Sequence, residues 1–398
     1  MKKVIIIANY VNFSWEKGNC RFIYLLNNLD CCNNEIELIT TNFCHYKKEK
    51  RKNIKKFTDN LKYKVTLINE PGYKKNISLK RIYSHYVLGI NLKKYLLKLK
   101  YKPDVIYCAV PSLDIAKVAT QYAKKNNIKL IIDIQDLWPE AFKMVFKIPV
   151  LSDIIFFPMR KKADYIYSNA DEIVAVSETY VNRALEVNKK TKNGTSVFLG
   201  TDLDIFDKYA KENRIYYYDN IIRIVYIGTL GMSYDIKSVI DAIKILNDKG
   251  IKNIKFVVMG DGPLKQEFEE YAEEKQIDTE FTGRLEYEKM VGLLCSCDIA
   301  VNPIIGTSVA SIINKVGDYA AAGIPVINTQ NSQEYIDLLV KYHAGLNCKP
   351  NNSSDIANKL EYLIINKKEL KELGAGNRKL AEELFDRKKT YKKIISLI

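Results

Sequence analysis

The chain has 398 residues, 47% hydrophobic and 27% charged, with a formal net charge of +15. That composition excludes disordered, collagen-like and coiled-coil chains, and the length suits two domains. The charge points toward nucleic acid or an anionic membrane, yet it is concentrated: between Lys47 and Lys102 eighteen Lys and Arg meet only Glu49, Asp59 and Glu70, so one segment carries the whole excess.

In chain order, short β-branched runs alternate with helical patterns, which predicts parallel βαβ units. Strands are expected at 4–8, 36–40, 65–69, 105–108, 130–134, 173–176 and 196–198, then at 224–227, 256–259, 280–282, 299–302 and 326–329. The polar, Tyr-rich stretch 204–220 has no clear period and reads as a linker. The expected domains are therefore 1–205 and 206–375, each Rossmann-like, with a helical segment 376–398 crossing back to the first. No apolar run reaches the roughly 18 to 20 residues of a membrane span. Met1 leads into Lys-Lys and a strand without a cleavable leader, and the eight Cys show neither zinc-ligand spacing nor a disulfide framework. A reduced, cytoplasmic setting is expected.

Parallel sheets of this kind bind ligands at the carboxyl ends of their strands. The first such junction, ANYVNFSWEKGNCR at 8–21, places Gly18 just before a helix, where backbone N–H groups can approach an anion; a plain turn is the alternative, since G-x-G-x-x-G is absent. The second, IIDIQDLWPE at 131–140, ends a strand in Asp133, Gln135 and Asp136, followed by Trp138 and Glu140. Carboxylates beside an aromatic face suit a sugar, while a helix cap at Asp136 and a core Trp suit the same pattern. The third, YIGTLGMSYDIK from Tyr226, is phosphate-loop-like through Gly228, Thr229 and Gly231.

In the fourth, VVMGDGPLKQEFEEYA from Val257, Gly260 and Gly262 serve a tight turn, and the fifth, FTGRL from Phe281, aims Arg284 at the cleft mouth. The sixth, SIINKVGDYAAAGIPVINT at 311–329, begins a helix near Asn314 with Lys315 in its first turn and Asp318 one turn on. A helix N-terminus bearing Lys suits a diphosphate, and Asp318 on the same face suits ribose hydroxyls.

Together with ADEIVAVSETY from Ala170, FLGTDLDIF from Phe198, GDGP and DYAAAGIPVI, these segments resemble the family 4 retaining glycosyltransferases, over about residues 3–384. The DLWPE stretch resembles the subgroup that builds bacterial O-antigen and capsule repeat units, including N-acetylfucosamine transferases. The resemblance implies an α/β, GT-B fold: two Rossmann-like domains facing a central cleft. It implies a nucleotide-sugar donor, a UDP-sugar, with its diphosphate at Gly18 in the first domain and at Gly228, Thr229, Asn314 and Lys315 in the second. Gly262 lies in the same donor set, the base goes against Gly283, Arg284 and Leu285, and the ribose goes to Asp318. Asp136 matches the acid after the family's usual histidine, which is Gln135 here, and shares the catalytic role with Lys315. Trp138 and Glu140 then contact the acceptor or sugar. Ala310 stands where the family has the first of two acids and Thr229 where it has an Arg, so Lys315 supplies the missing cation.

Retention with the leaving diphosphate stabilised by helix N-termini and Lys315 requires no protein nucleophile, cofactor or metal. His45, His85 and His343 fall in none of the six junctions. From Leu79, LKRIYSHYVLGINLKKYLLKLK reads as an amphipathic helix with Ile82, Tyr86, Ile90 and Tyr95/Leu96 apolar among lysines. Anionic lipid attracts such a surface by about 1 kcal/mol per well-placed cation. KMVFKIPVLSDIIFFPMRK from Lys143 adds apolar contact, and an ordinary surface helix is the alternative. The expected partners are a nucleotide sugar, a polyprenyl-diphosphate-linked saccharide acceptor and the anionic inner face of the cytoplasmic membrane, met through Lys47 to Lys102. Nucleic acid is not expected, because no recognised module accompanies the lysines. A GT-B sugar-nucleotide epimerase would share the fold but needs general acid/base residues absent from the junctions.

Overall fold

The computed structural model describes residues 1–16, 20–52, 54–76, 78–143, 149–305 and 312–398. These fall into two compact units: Met1–Val197 with Tyr391–Ile398, and Phe198–Thr390.

The first unit contains β1 (Lys2–Ile7), β2 (Asn34–Thr41), β3 (Phe43–Cys44), β4 (Glu49–Lys50), β5 (Lys64–Ile68), β6 (Val105–Val110), β7 (Lys129–Ile134), β8 (Glu172–Ala175) and β9 (Thr195–Ser196). Seven of them form a sheet in the order β5-β2-β1-β6-β7-β8-β9, with parallel pairing throughout. The runs VIII, VIYCAV and LIIDI are buried on both faces, as central strands covered by helices on either side must be. The remaining two, β3 and β4, make a small antiparallel ribbon outside the sequence expectation, since two-residue strands carry no periodicity. Tyr391 and Ile394 are fully buried in this unit's core beside Phe13, Phe22 and Tyr107.

The second unit holds β10 (Ile222–Ile227), β11 (Ile254–Met259), β12 (Thr279–Gly283), β13 (Ile299–Asn302), β14 (Val326–Asn328) and β15 (Gly345–Asn347), ordered β12-β11-β10-β13-β14-β15 and all parallel. The reading of 204–220 as a linker is corrected: residues Leu203–Asn213 form a helix capped by Asp202, whose carboxylate accepts from Ile205 N at 3.2 Å. Its narrow apolar face buries Leu203 and Phe206 while the rest is polar, which hid the period. The chain divides at Val197/Phe198, upstream of the expected 205/206, and again at Thr390/Tyr391, so of the segment 376–398 only the last eight residues belong to the first unit.

Candidate active site

In the second unit the chain leaves β10 through Gly228, whose φ of 140° is closed to residues with a β-carbon. Gly228 N donates to Met259 O and Leu230 N to Asp261 O, both at 2.9 Å, laying this loop flush against the turn after β11. The turn glycines allow that approach. A β-carbon on Gly260 would stand 1.8 Å from Gly228 O, and one on Gly262 would stand 2.2 Å from Leu230 O. Gly262, expected at the donor, thus faces neighbouring backbone and shapes the loop that carries Gly228 and the exposed Thr229.

Lys315 lies in the first turn of the helix Asn314–Ala322 and is 8% exposed. Its Nζ is 3.9 Å from the centroid of the Tyr226 ring and 4.0 Å from that of Tyr234. A β-carbon at Gly228 would come within 3.1 Å of it. Among the described residues it has no hydrogen-bond partner, and burial pushes its pKa well below that of an ordinary lysine. The ring faces attract a cation but leave its three donors unmet. The preceding residue, Ile313, offers no side-chain cap, so the N–H groups of this helix start are not satisfied that way, and Asn314 is exposed beside them. A buried lysine and a helix start without a side-chain cap among the described residues, beside a glycine turn, suit an anion.

Asp318, one turn on, faces other neighbours. Its Oδ1 accepts from Thr201 Oγ1 at 3.1 Å and from the Tyr287 hydroxyl at 2.9 Å, and burial raises its pKa despite both bonds. Lys315 contacts Tyr226 and Tyr234, so the shared face expected for the two residues is divided between two environments. Arg284 is exposed just past β12, and Leu285 packs against the unit's core. Gly18 and Ala310 lie outside the described residues.

In the first unit, the carboxylates after β7 have separate fates. Asp133 is fully buried, 3.1 Å from Arg21 Nε, and accepts from the Tyr107 hydroxyl at 2.7 Å. It is a core ion pair rather than a group at the edge of the sheet. Asp136 accepts from Trp138 Nε1 at 3.1 Å, and burial lifts its pKa to about 6. Trp138 is itself buried, with the His85 ring stacked on it at 5.9 Å and the Arg81 guanidinium 4.9 Å from its centroid, so no open aromatic platform is left. Glu140 Oε1 is held by Arg183 Nε at 2.7 Å, within a network that also takes Asp164.

Around Arg81 the structure gathers Tyr10 and Trp138, from the first two junctions, with His45, Tyr73 and His85, which the six junctions did not contain. Its Nη2 donates to the Tyr10 hydroxyl at 2.7 Å, and its guanidinium lies over the rings of Tyr10, Tyr73 and Trp138. His45 Nδ1 meets the Tyr73 hydroxyl at 2.6 Å, and His85 Nε2 meets Tyr10 at 3.2 Å. Burial, reinforced by the neighbouring cations, drives both imidazoles down to about 3. These histidines are neutral hydrogen-bonding groups at neutral pH. The two histidines join Tyr10, Tyr73, Arg81 and Trp138 from segments far apart in the chain that only the fold brings together. Elsewhere, His343, Glu369 and Glu372 bring three possible ligand atoms within 4.8 Å, but at the surface, where His343 lies 3.3 Å from Glu369 as in an ordinary side-chain pair.

Residues 208–380 match the family described as Glycosyl transferases group 1. No curated protein matches the chain in sequence. Among solved structures, HepE of Anabaena in complex with UDP superposes with a TM-score of 0.71 at 13% identity, over 100% of this chain and 99% of that one. Sucrose-phosphate synthase of Thermosynechococcus elongatus gives 0.71 at 15% identity, over 100% and 98%. WaaG, a glycosyltransferase involved in lipopolysaccharide biosynthesis, gives 0.66 at 12% identity, over 99% of each. The chain has the two-sheet α/β architecture of the GT-B glycosyltransferases.

Proposed function

We propose that this chain, whose second unit matches the group 1 glycosyl transferases, is a retaining glycosyltransferase using a UDP-sugar donor and a lipid-linked saccharide acceptor of bacterial surface polysaccharide. The observation that carries the reading is Lys315: a buried ammonium without a hydrogen-bond partner among the described residues, set at a helix start against Gly228. Burial disfavours the charged form of Lys315, and a diphosphate would favour it. UDP is bound in the structurally similar HepE, which supports the choice of nucleotide.

In this reading the donor diphosphate lies against Gly228, Thr229 and the first turn at Asn314, with Lys315 beneath it. As the anomeric C–O bond lengthens, negative charge grows on the leaving phosphate oxygen, and Lys315 with the helix start stabilises it more in the transition state than in the ground state. The phosphate oxygen that leaves then takes the proton of the acceptor hydroxyl attacking the same face, which gives retention without a protein nucleophile. The base rests near Arg284 and Leu285, and Asp136 of the first unit, with its pKa lifted to about 6, is a candidate to hydrogen-bond a sugar hydroxyl. Membrane docking belongs to the same reading. The helix Leu79–Leu97 exposes Leu79, Ile82, Tyr83, Tyr86 and Ile90 along one face, while Leu88, Leu92 and Leu96 form its buried face. Leu96 thus packs inward, and Tyr95 is half-buried on Thr66 and Glu37, where the amphipathic expectation had both outward. No helix among the described residues is long and apolar enough to cross a membrane.

Thermal-shift titration with UDP, UDP-sugars and GDP-sugars tests the donor. UDP should stabilise the wild type and not Lys315→Ala, whereas equal stabilisation of both proteins would overturn the assignment. Incubation with a UDP-sugar alone should leave the sugar unconverted, which separates transfer from epimerisation.

A further inference from the structure

The first unit contains a cavity of about 520 Å³ that no sequence motif marked. Its floor is Phe43, Pro71, Gly72 and Tyr73, and its rim carries Lys48, Lys50, Lys74, Lys75 and Lys80 against one acid, Glu49. The floor is held from below. Gly72 N donates to Ser84 Oγ at 2.9 Å, Ser84 donates to Glu70 at 2.7 Å, and a β-carbon on Gly72 would strike the Phe43 ring at 2.7 Å. Glu70 is buried beneath Ser84, and burial raises its pKa. Five lysines therefore line the cavity with one exposed carboxylate among them, an excess of positive charge that a polyvalent anion would balance.

Two further observations define that anion. Lys48 is the part-buried member: it donates to Asn76 Oδ1 at 2.5 Å and contacts His45, and burial together with the Arg81 charge pulls its pKa down to about 8. A cation pressed in this way regains its charge most fully beside phosphate oxygens. The second is position. Ser78 and Lys80, which line the cavity, flank Leu79, the first residue of the exposed apolar stripe Leu79, Ile82, Tyr83, Tyr86, Ile90 and Leu97. The residues from Leu79 to Ile90 recur at helical spacing, so one face of the helix runs apolar from the cavity rim to Ile90, beyond which the exposed Lys93 and Lys94 precede Leu97. A cationic cavity opening onto an apolar face matches a molecule with a phosphorylated head and a hydrocarbon tail.

We propose that this cavity binds the diphosphate head of the lipid-linked acceptor, with the lipid running along the exposed face of Leu79–Leu97. The proposal rests on the glycosyltransferase reading and assigns its acceptor a site within the first unit, beside the Tyr73, Arg81 and Trp138 cluster that leads to Asp136. The lysine cavity holds one diphosphate, and the bilayer supplies the tail.

Flotation with three vesicle types tests it: neutral phosphatidylcholine, phosphatidylcholine doped with polyprenyl diphosphate, and phosphatidylcholine doped with phosphatidylglycerol to the same total charge. The wild type should prefer the diphosphate vesicles over the charge-matched ones by about tenfold. Lys74→Glu/Lys75→Glu/Lys80→Glu, three exposed positions, should abolish the preference while UDP binding stays at the wild-type level. Lys315→Ala should keep the preference. Equal binding to both anionic vesicles, a preference that survives the triple substitution, or one lost on Lys315→Ala instead would each overturn the cavity assignment. A wild type that prefers diphosphate vesicles yet fails to bind UDP would count against the donor reading and not against this site.

Discussion

Nζ of Lys315 stands 3.1 Å from the point where a β-carbon on Gly228 would be, so the glycine that turns the chain out of β10 also keeps open the space above the buried cation. A methyl group there meets both a φ of 140° and the lysine. Gly228→Ala should lower stability by about 1–3 kcal/mol through backbone strain. On the proposed donor reading it should also weaken UDP binding by about tenfold or more, because the side chain would intrude where a diphosphate would approach Lys315. Urea unfolding and calorimetric titration read the two effects, and unchanged UDP affinity would remove Gly228 from the site.

Burial depresses the pKa of Lys315, and a bound diphosphate restores the charged form, so donor binding should draw a proton from solution. UDP-glucose is the suitable probe, since its diphosphate diester does not itself titrate near neutrality. Titrations in buffers of different ionisation enthalpy should show uptake of up to about one proton per site, with affinity rising as pH falls. Lys315→Met should bind weakly without uptake. Identical heats in all buffers for the wild type would contradict the assignment.

Arg21 and Asp133 are 1% and 0% exposed in their side chains, and Arg21 also donates to Val197 O at 2.9 Å. Removing one member leaves the other charged and buried. Arg21→Leu should therefore destabilise the first unit by about 3–5 kcal/mol, far more than the truncation of a surface pair. Differential scanning calorimetry measures this. A loss below about 1 kcal/mol would mean that water reaches the pair.

His85 titrates near 3 in the folded chain and near 6.5 when exposed, so the unfolded state binds the extra proton and stability falls as pH drops from about 6.5 toward 3. The slope from this residue is at most about 1.4 kcal/mol per pH unit. Asp136 acts in the opposite sense: raised to about 6, it is protonated in the folded chain before the unfolded one, so its share of stability grows as pH falls from about 6 toward 4. Denaturant midpoints against pH should decline less steeply in His85→Phe and more steeply between about pH 6 and 4 in Asp136→Asn. Parallel curves for wild type and His85→Phe would show that the imidazole is not excluded from protonation.

Both sheets were legible in the sequence because apolar β-branched runs such as VIIIA and VVM must be buried on both faces, and only a covered parallel sheet does that. The helix at Asn314 and the turn at Gly228 were legible for the same kind of local reason, since a glycine or a helix start leaves its mark within a few residues. What escaped depends on pairs distant in sequence. Lys315 between Tyr226 and Tyr234, or Arg81 over Tyr10, Tyr73 and Trp138, has no spacing rule, and each partner alone looks like an ordinary core aromatic. The pattern DIQDLWPE misled in a similar way: Asp133, a strand residue, and Trp138 proved buried, because alternation and apolar neighbours do not say which acid has an arginine waiting for it. The lysine run likewise hid a division of labour. Arg51 is buried, bonding Val11 O at 2.5 Å and Glu16 at 2.8 Å, while Lys74, Lys75 and Lys80 remain at the surface.

The first unit takes Tyr391 and Ile394 into its core, and these residues follow the whole of the second unit in the chain. During synthesis from the amino end, the earlier unit must therefore wait, its sheet already available but one side of its interior unfilled, until the later unit has been made. A chain interrupted anywhere within 198–390 lacks Tyr391 and Ile394 and leaves that gap open, so a finished first unit certifies that the second unit has been translated.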